Sequence, residues 1–445
     1  MSEAAYPLTL SVLGTSQNSG KTVTCIGLLC KLLAPPYNLK LTDVGYMKPV
    51  GQRAAVVPAP DGSSIVAERD ALLVTALMGV NRPRYDLLSP ILWLAGRTSA
   101  CIDDACCHGA ARMRSAHIEA VQNAYRALAK GKRAMIIEGT GQIGVGSVGG
   151  ISAADTVMAL RALGAPVRVL LVTAGDPARS IDETVPHLLA LAQFGVCVDG
   201  LIVNRVDPDR VSQAANILKT YYGCLLPSLY GQVCGTDGCI PILGLVPEMP
   251  DLALPTIRLL RDHFAGKADA NLRTHAWPHH PEPERVLVRR TVALSLRDRY
   301  LPLLRDGDLV VAGINANRRI VSLLDHQRSL RHTGQTGLAG IILSCQAVGG
   351  LLPRTRAYLA RAETPVLAVD LDTATVVEEI AGLNVKIQSY DLAKRDLIAG
   401  AYCQHVDDLP GDIPKAEPLQ LSKDGATVEW VVPPCSCPVC RKLAE

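Results

Sequence analysis

The chain has 445 residues, 48% of them hydrophobic and 20% charged, with mean hydropathy +0.19 and a formal net charge of +3. That length fits two domains, the apolar share excludes wholesale disorder, and so small a charge argues against a nucleic-acid or membrane partner. No stretch approaches the ~18 uninterrupted apolar residues of a membrane span, and the 14 cysteines lack the short regular spacings of a disulfide framework, so reduced thiols and a cytoplasmic location are expected.

Residues 1–14, MSEAAYPLTLSVLG, carry neither a basic segment nor a cleavage site and read as a first strand rather than a leader. Further strand-like runs follow at AMIIEG (134–139), VRVLLVT (167–173) and GLIVNRV (200–206), each short and closed by Gly, Thr or a polar turn. Helical periodicity follows at 21–33, 115–130, 153–163 and 180–194. With only two Phe, the core must be built from Leu, Val, Ile and Ala, which suits a parallel sheet covered by helices. The expected fold is α/β: a doubly wound, mostly parallel sheet with ligands at the carboxyl ends of its strands. Residues 265–284, rich in Pro, His and charge, read as a linker. A second strand–helix series then runs through GDLVVAGI (307–314), GLAGIILS (337–344) and PVLAVD (365–370). The expected domains are 1–264, a smaller α/β domain at 285–405, and a polar tail at 406–445.

The first strand opens into GTSQNSGKT, residues 14–22. Gly14 and Gly20 permit close backbone approach, Thr15, Asn18 and Ser19 lie between them, and the following helix presents its positive end. Lys21 supplies a charge for the outer phosphates of ATP, and the Thr22 hydroxyl is a Mg²⁺ ligand. Phosphoryl transfer also needs carboxylates to hold the cation. Asp70 and Glu138 lie at element ends, as such ligands should, although a solvated helix-start carboxylate serves as well for Asp70. Lys48 follows a Tyr-Met pair and precedes Pro49, which fixes its backbone, as an exposed strand-end lysine could. Asn204 closes its strand, where a turn role competes with ligand contact.

The loop has five residues between its glycines, and GTSQNSGKT resembles the loop of dethiobiotin synthetase and its relatives, cobyrinic acid a,c-diamide synthase and the N-terminal domain of long phosphotransacetylases. GYMKPVGQ (45–52), ERDALLV (68–74), IIEGTG (136–141), GLIVNRV (200–206) and LGLVPE (243–248) match the family's later segments in order. The resemblance implies ATP and Mg²⁺, with Lys21 and Lys48 catalytic and Thr22, Asp70 and Glu138 around the metal. It also implies that Asn204, Pro247 and Glu248 meet the adenine. A small carboxylate or amine is the implied substrate, and a homodimer is the expected assembly.

Residues 305–385 resemble the DRTGG domain that follows in long phosphotransacetylases, but NANRR (315–319) and SCQAVGG (344–350) depart from its name motif. Cys435, Cys437 and Cys440 form a C-x-C-x-x-C cluster that would need a fourth ligand to hold Zn²⁺ or part of an Fe–S cluster, with chance clustering the alternative. Three functions remain open on sequence: an ATP-dependent ligase acting on a carboxylate or carbamate, a regulatory nucleotide-binding protein, and an ATP-dependent metal or cofactor maturation factor.

Overall fold

The computed structural model describes residues 6–58, 63–81, 83–231, 239–266, 275–276, 282–294, 301–345, 350–362, 364–411 and 413. The chain divides into two compact units, Met1–Glu248 with Arg395–Glu445, and Met249–Lys394. This differs from the boundaries expected at 264 and 405. Helix Ile257–Gly266 falls in the second unit, and residues 395–405 return to the first. The Pro- and His-rich composition of 265–284 marked a change of character along the chain, whereas compactness depends on which residues pack together.

The first unit holds strands β1 (Leu8–Gly14), β2 (Val44–Met47), β3 (Val50–Gly51), β4 (Ala54–Pro58), β5 (Ser64–Glu68), β6 (Ile91–Leu92), β7 (Ala134–Glu138), β8 (Val167–Ala174), β9 (Gly200–Val206) and β10 (Ile242–Pro247). Six of them form one parallel sheet in the order β10-β9-β8-β1-β7-β2. Their apolar runs are continuous because both faces are covered. Leu10 and Val12 of β1 and Val169 to Val172 of β8 are fully buried. Helix Ala110–Ala129 adds Val121 and Tyr125 to a core with Met135, Ile137, Leu171 and Val203. The doubly wound reading holds. The order reverses at β1, whose neighbours β7 and β8 lead to opposite edges, so a ligand site is expected outside its carboxyl end.

Two features outside the sheet matter for the site. β4 and β5 form an antiparallel hairpin that carries the chain into helix α2 (Arg69–Leu77). The last helix, Leu392–His405, brings residues 395 onward back into the first unit. There Val406 bridges Gly244, the Lys31 ammonium donates to the Val406 carbonyl at 2.7 Å, and the Leu409 N–H donates to the Tyr37 hydroxyl at 2.8 Å.

The second unit is a smaller α/β domain. Its strands are β11 (His275–Ala276), β12 (Arg290–Ala293), β13 (Asp308–Gly313), β14 (Gly340–Ser344) and β15 (Val366–Ala368), in the order β11-β15-β14-β13-β12. All neighbours are parallel except β11, an antiparallel edge strand contributed by the stretch expected to be a linker. Period-two alternation divides its core: Val310, Ile341 and Leu343 pack with Ile320 and Leu323, while Leu309, Val311 and Ile342 pack with Phe264 and Val376. Among the described residues, no helix is long and apolar enough to cross a membrane.

Candidate active site

Between β1 and helix α1 (Lys21–Leu33), residues 15–20 form the phosphate loop. Gly20 stands at the helix start with φ +94°, a left-handed conformation that disfavours a side chain, and no side chain caps the first turn. Those N–H groups point out of the helix start, as anion binding requires. Gly14 has a different reason to lack a Cβ: one built there would lie 2.5 Å from Ser19 Oγ and 2.7 Å from Lys21 Nζ. The Lys21 side chain runs back across the loop and donates to the carbonyls of Ser16 at 2.7 Å and Gly141 at 2.9 Å. Burial pulls its pKa down to about 8, against the opposing pull of Glu138. Thr15 turns its hydroxyl to Glu183 at 3.0 Å, Ser19 is buried, and Asn18 is exposed at the loop's tip.

Beside the loop, three carboxylates converge on one ammonium. Lys48 Nζ contacts Asp70 and lies 3.2 Å from Glu138 Oε1 and 3.4 Å from Glu68 Oε1. Burial opposes the charge on Lys48, but Glu138, Asp70 and Glu68 together outweigh it and hold the pKa above the ordinary lysine value. Glu138, at the carboxyl end of β7, is 1% exposed and fully engaged: Thr22 donates to Oε1 at 2.8 Å and Tyr46 to Oε2 at 2.8 Å. Glu68 caps α2, its Oε2 accepting the N–H groups of Asp70 at 2.6 Å and Ala71 at 2.9 Å. Burial raises its pKa to about 7, Lys48 opposes the rise, and the neighbouring Asp70 and Glu138 charges add to it. A crevice is lined by Pro49, Val50, Glu138, Gly139, Thr140 and Ser152.

The structure therefore brings Lys21, Thr22, Lys48, Asp70 and Glu138 together from four separated segments. Residues 8–256, more than half of the chain, match the family described as AAA domain. The chain belongs to that family. Among solved structures, the cell division protein FtsY of Thermotoga maritima is similar at 16% identity and a TM-score of 0.26. That match covers 55% of this chain and 63% of FtsY, less than two thirds of its length. No curated protein matches.

Other expected residues stand differently. Asn204 is buried behind the loop rather than open to a base: its amide donates to the Ser19 carbonyl and to Thr24 Oγ1, both at 3.2 Å, and its Oδ1 accepts from Tyr402 at 2.9 Å. Both of its polar atoms are held by protein. Pro247 ends β10 half-buried, and Glu248 is exposed with its N–H bonded to Val206. Cys435, Cys437 and Cys440 lie outside the described residues. Among the described residues, no group of three or more His, Cys, Asp or Glu is arranged to hold a metal by itself, and no Zn²⁺ or Fe–S site is seen.

Glu68, Tyr46 and Tyr402 were missed on sequence. Glu68 sits two residues before Asp70 at the mouth of a helix, but glutamate is not among the usual N-cap residues, so no cap signal was readable there. Nothing local distinguished the two tyrosines.

Proposed function

We propose that the chain is an ATP- and Mg²⁺-dependent enzyme of the dethiobiotin synthetase type, transferring phosphate to a small carboxylate or carbamate ahead of C–N bond formation. The observation that carries this reading is the position of Lys48, a buried second lysine held among Glu68, Asp70 and Glu138 beside the phosphate loop.

Nucleotide binding needs one set of charges and acceptor binding another. Lys21 and the free N–H groups at the start of α1 serve the phosphates, whose negative charge compensates the burial of Lys21. Thr22, Asp70 and Glu138 offer hard oxygen donors, and they would hold magnesium, which supplies neutralisation of the phosphate charge when bound. Magnesium is commonly held by one or two carboxylates plus phosphate oxygens, so an all-protein cage is not required of these residues. Lys48 already occupies the point where the carboxylates converge, which shows that the cluster accepts a positive charge. In the working enzyme its ammonium serves the acceptor side, where it offsets repulsion between an acceptor anion and the terminal phosphate. Pro49 and Val50, which follow Lys48 in the chain, line a crevice together with Glu138.

The test is ADP release with a panel of small carboxylates and of amines with bicarbonate, diaminopelargonate included. Acceptor-dependent turnover that falls about 100-fold in Lys48→Ala, with ATP still bound, is the expected result. ATP binding with no acceptor effect across the panel would favour the regulatory alternative.

A further inference from the structure

Behind the phosphate loop lies a closed ring of hydrogen bonds whose third member comes from the far end of the chain. Tyr402 is fully buried, and its ring packs against Gly27 of α1, where any Cβ would collide with it. Its hydroxyl lies 2.7 Å from Thr24 Oγ1 and 2.9 Å from Asn204 Oδ1. The directions are determined by counting hydrogens. The Asn204 Oδ1 only accepts, so the Tyr402 hydroxyl spends its one hydrogen there. Thr24 must then donate to Tyr402, and Thr24 Oγ1 in turn accepts from the Asn204 amide at 3.2 Å. That leaves one amide hydrogen of Asn204, which goes to the Ser19 carbonyl of the loop at 3.2 Å.

We propose that Tyr402 is a positioning residue of the phosphate loop: its hydroxyl anchors the Asn204 amide whose NH₂ edge faces the loop, and it makes the returning segment from residue 395 part of the nucleotide site. The inference rests on the proposed ATP-binding function. A primary amide has two nearly isosteric edges, and the opposite edge would set Oδ1 against the Ser19 carbonyl, acceptor against acceptor. The Ser19 carbonyl, which only accepts, selects the NH₂ edge, and the tyrosine hydroxyl holds the amide in that orientation from its other side by donating to Oδ1. Burial also pushes the phenol's pKa up, so it stays a neutral donor. Ser19 and Gly20 are the last loop residues before Lys21, so a shift of the Ser19 carbonyl moves the N–H groups that meet the phosphates.

Tyr402→Phe keeps the ring on Gly27 and removes only the hydroxyl. Tyr37→Phe is the matched control, since the Tyr37 hydroxyl holds the same returning segment through the Leu409 N–H but lies outside the ring. Equilibrium ATP titration and thermal unfolding are run on both full-length variants. Tyr402→Phe should bind ATP about tenfold more weakly than wild type, and Tyr37→Phe within about twofold, at similar losses of melting temperature. A Tyr402→Phe, Asn204→Ala double variant should bind no more weakly than Asn204→Ala alone, because the hydroxyl acts through that amide. Wild-type affinity in Tyr402→Phe, an equal loss in Tyr37→Phe, or additive losses in the double variant would overturn this inference alone. Wild-type protein that takes up no ATP would overturn the proposed function and this inference with it.

Discussion

Both units pass the chain from a strand into a helix through a carboxylate that caps the helix. Glu68 accepts the N–H groups of Asp70 and Ala71 at the start of α2. In the second unit, Asp372 accepts those of Ala374 at 2.9 Å and Thr375 at 3.1 Å at the start of helix Thr373–Ala381. The capping chemistry is the same, yet the two acids are driven in opposite directions. Glu68 is 1% exposed and burial raises its pKa to about 7, whereas Asp372 is exposed and the Thr375 hydroxyl and backbone N–H groups hold it below the usual carboxylate range. Burial turns a cap into a member of a buried ionic cluster, and the turn geometry alone does not.

The same contrast extends across the two sheets. In the first unit, buried charge collects at the carboxyl ends of strands: Lys48 beyond β2, Glu138 at the end of β7, and Lys21 beyond β1. In the second, Asp308 is buried at the start of β13, where Arg290 grips it with two hydrogen bonds of 2.9 and 2.6 Å. The carboxyl ends there carry Ser344 and Thr373, whose hydroxyls meet at 2.7 Å. A parallel sheet offers both ends of its strands to charge, and among the described residues the first unit gathers buried charge at the carboxyl ends, where strand-end ligands bind.

The largest expected effect breaks the first cluster. Lys48→Ala leaves Glu68 and Glu138 buried without their counter-charge, and loss of one partner from a buried ionic group costs about 3–5 kcal/mol. Denaturant unfolding should show that loss in the transition assigned to the first unit. An unchanged midpoint would mean that the carboxylates are compensated by something other than Lys48. Next comes Lys21→Ala, which removes one charge-assisted contact to phosphate and should weaken ATP binding by about 2–4 kcal/mol, tens- to hundreds-fold. Isothermal titration reads this directly, and unaltered affinity would remove the phosphate-loop assignment.

The parts of this site that were legible in the sequence are those whose determinants are local. Nine consecutive residues specify the loop, and its glycines are needed for reasons contained within it: Gly20 for its backbone angle, Gly14 for the passage of the Lys21 side chain. Lys48, Asp70 and Glu138 could be singled out because each sits at an element end within a matched segment. Glu68 was passed over because its burial depends on the β4–β5 hairpin folding beside Lys48, which no short window contains. Tyr402 is separated from Asn204 by 198 positions and from Thr24 by 378, with an entire unit intervening in the chain. A tyrosine in a helix gives no local sign of such a partner. The division into units was not legible for a related reason, since the returning segment reads as the end of the second series until its contacts are known.

The smallest expected effect sharpens the comparison of the two caps. Asp372→Ala removes the acceptor for two N–H groups and should lower the melting temperature of the second unit by about 1–4 °C, leaving ATP affinity untouched. The pH dependence follows from the direction of its pKa. The folded value lies below the ordinary 3.8, so the carboxylate's contribution is fully present above that value and is lost as pH falls through the folded one. The gap between wild type and Asp372→Ala should therefore be constant near neutrality and narrow in strong acid. Asp372→Asn, which keeps an acceptor oxygen but not the charge, should fall between them at pH 7, because asparagine caps a helix about as well while giving up the attraction to its positive end. Thermal melts of the three proteins across pH 2 to 7 decide the matter. A gap that widens in acid would show that Asp372 is held above its ordinary pKa, in the manner of Glu68, and would erase the distinction between the two carboxylates.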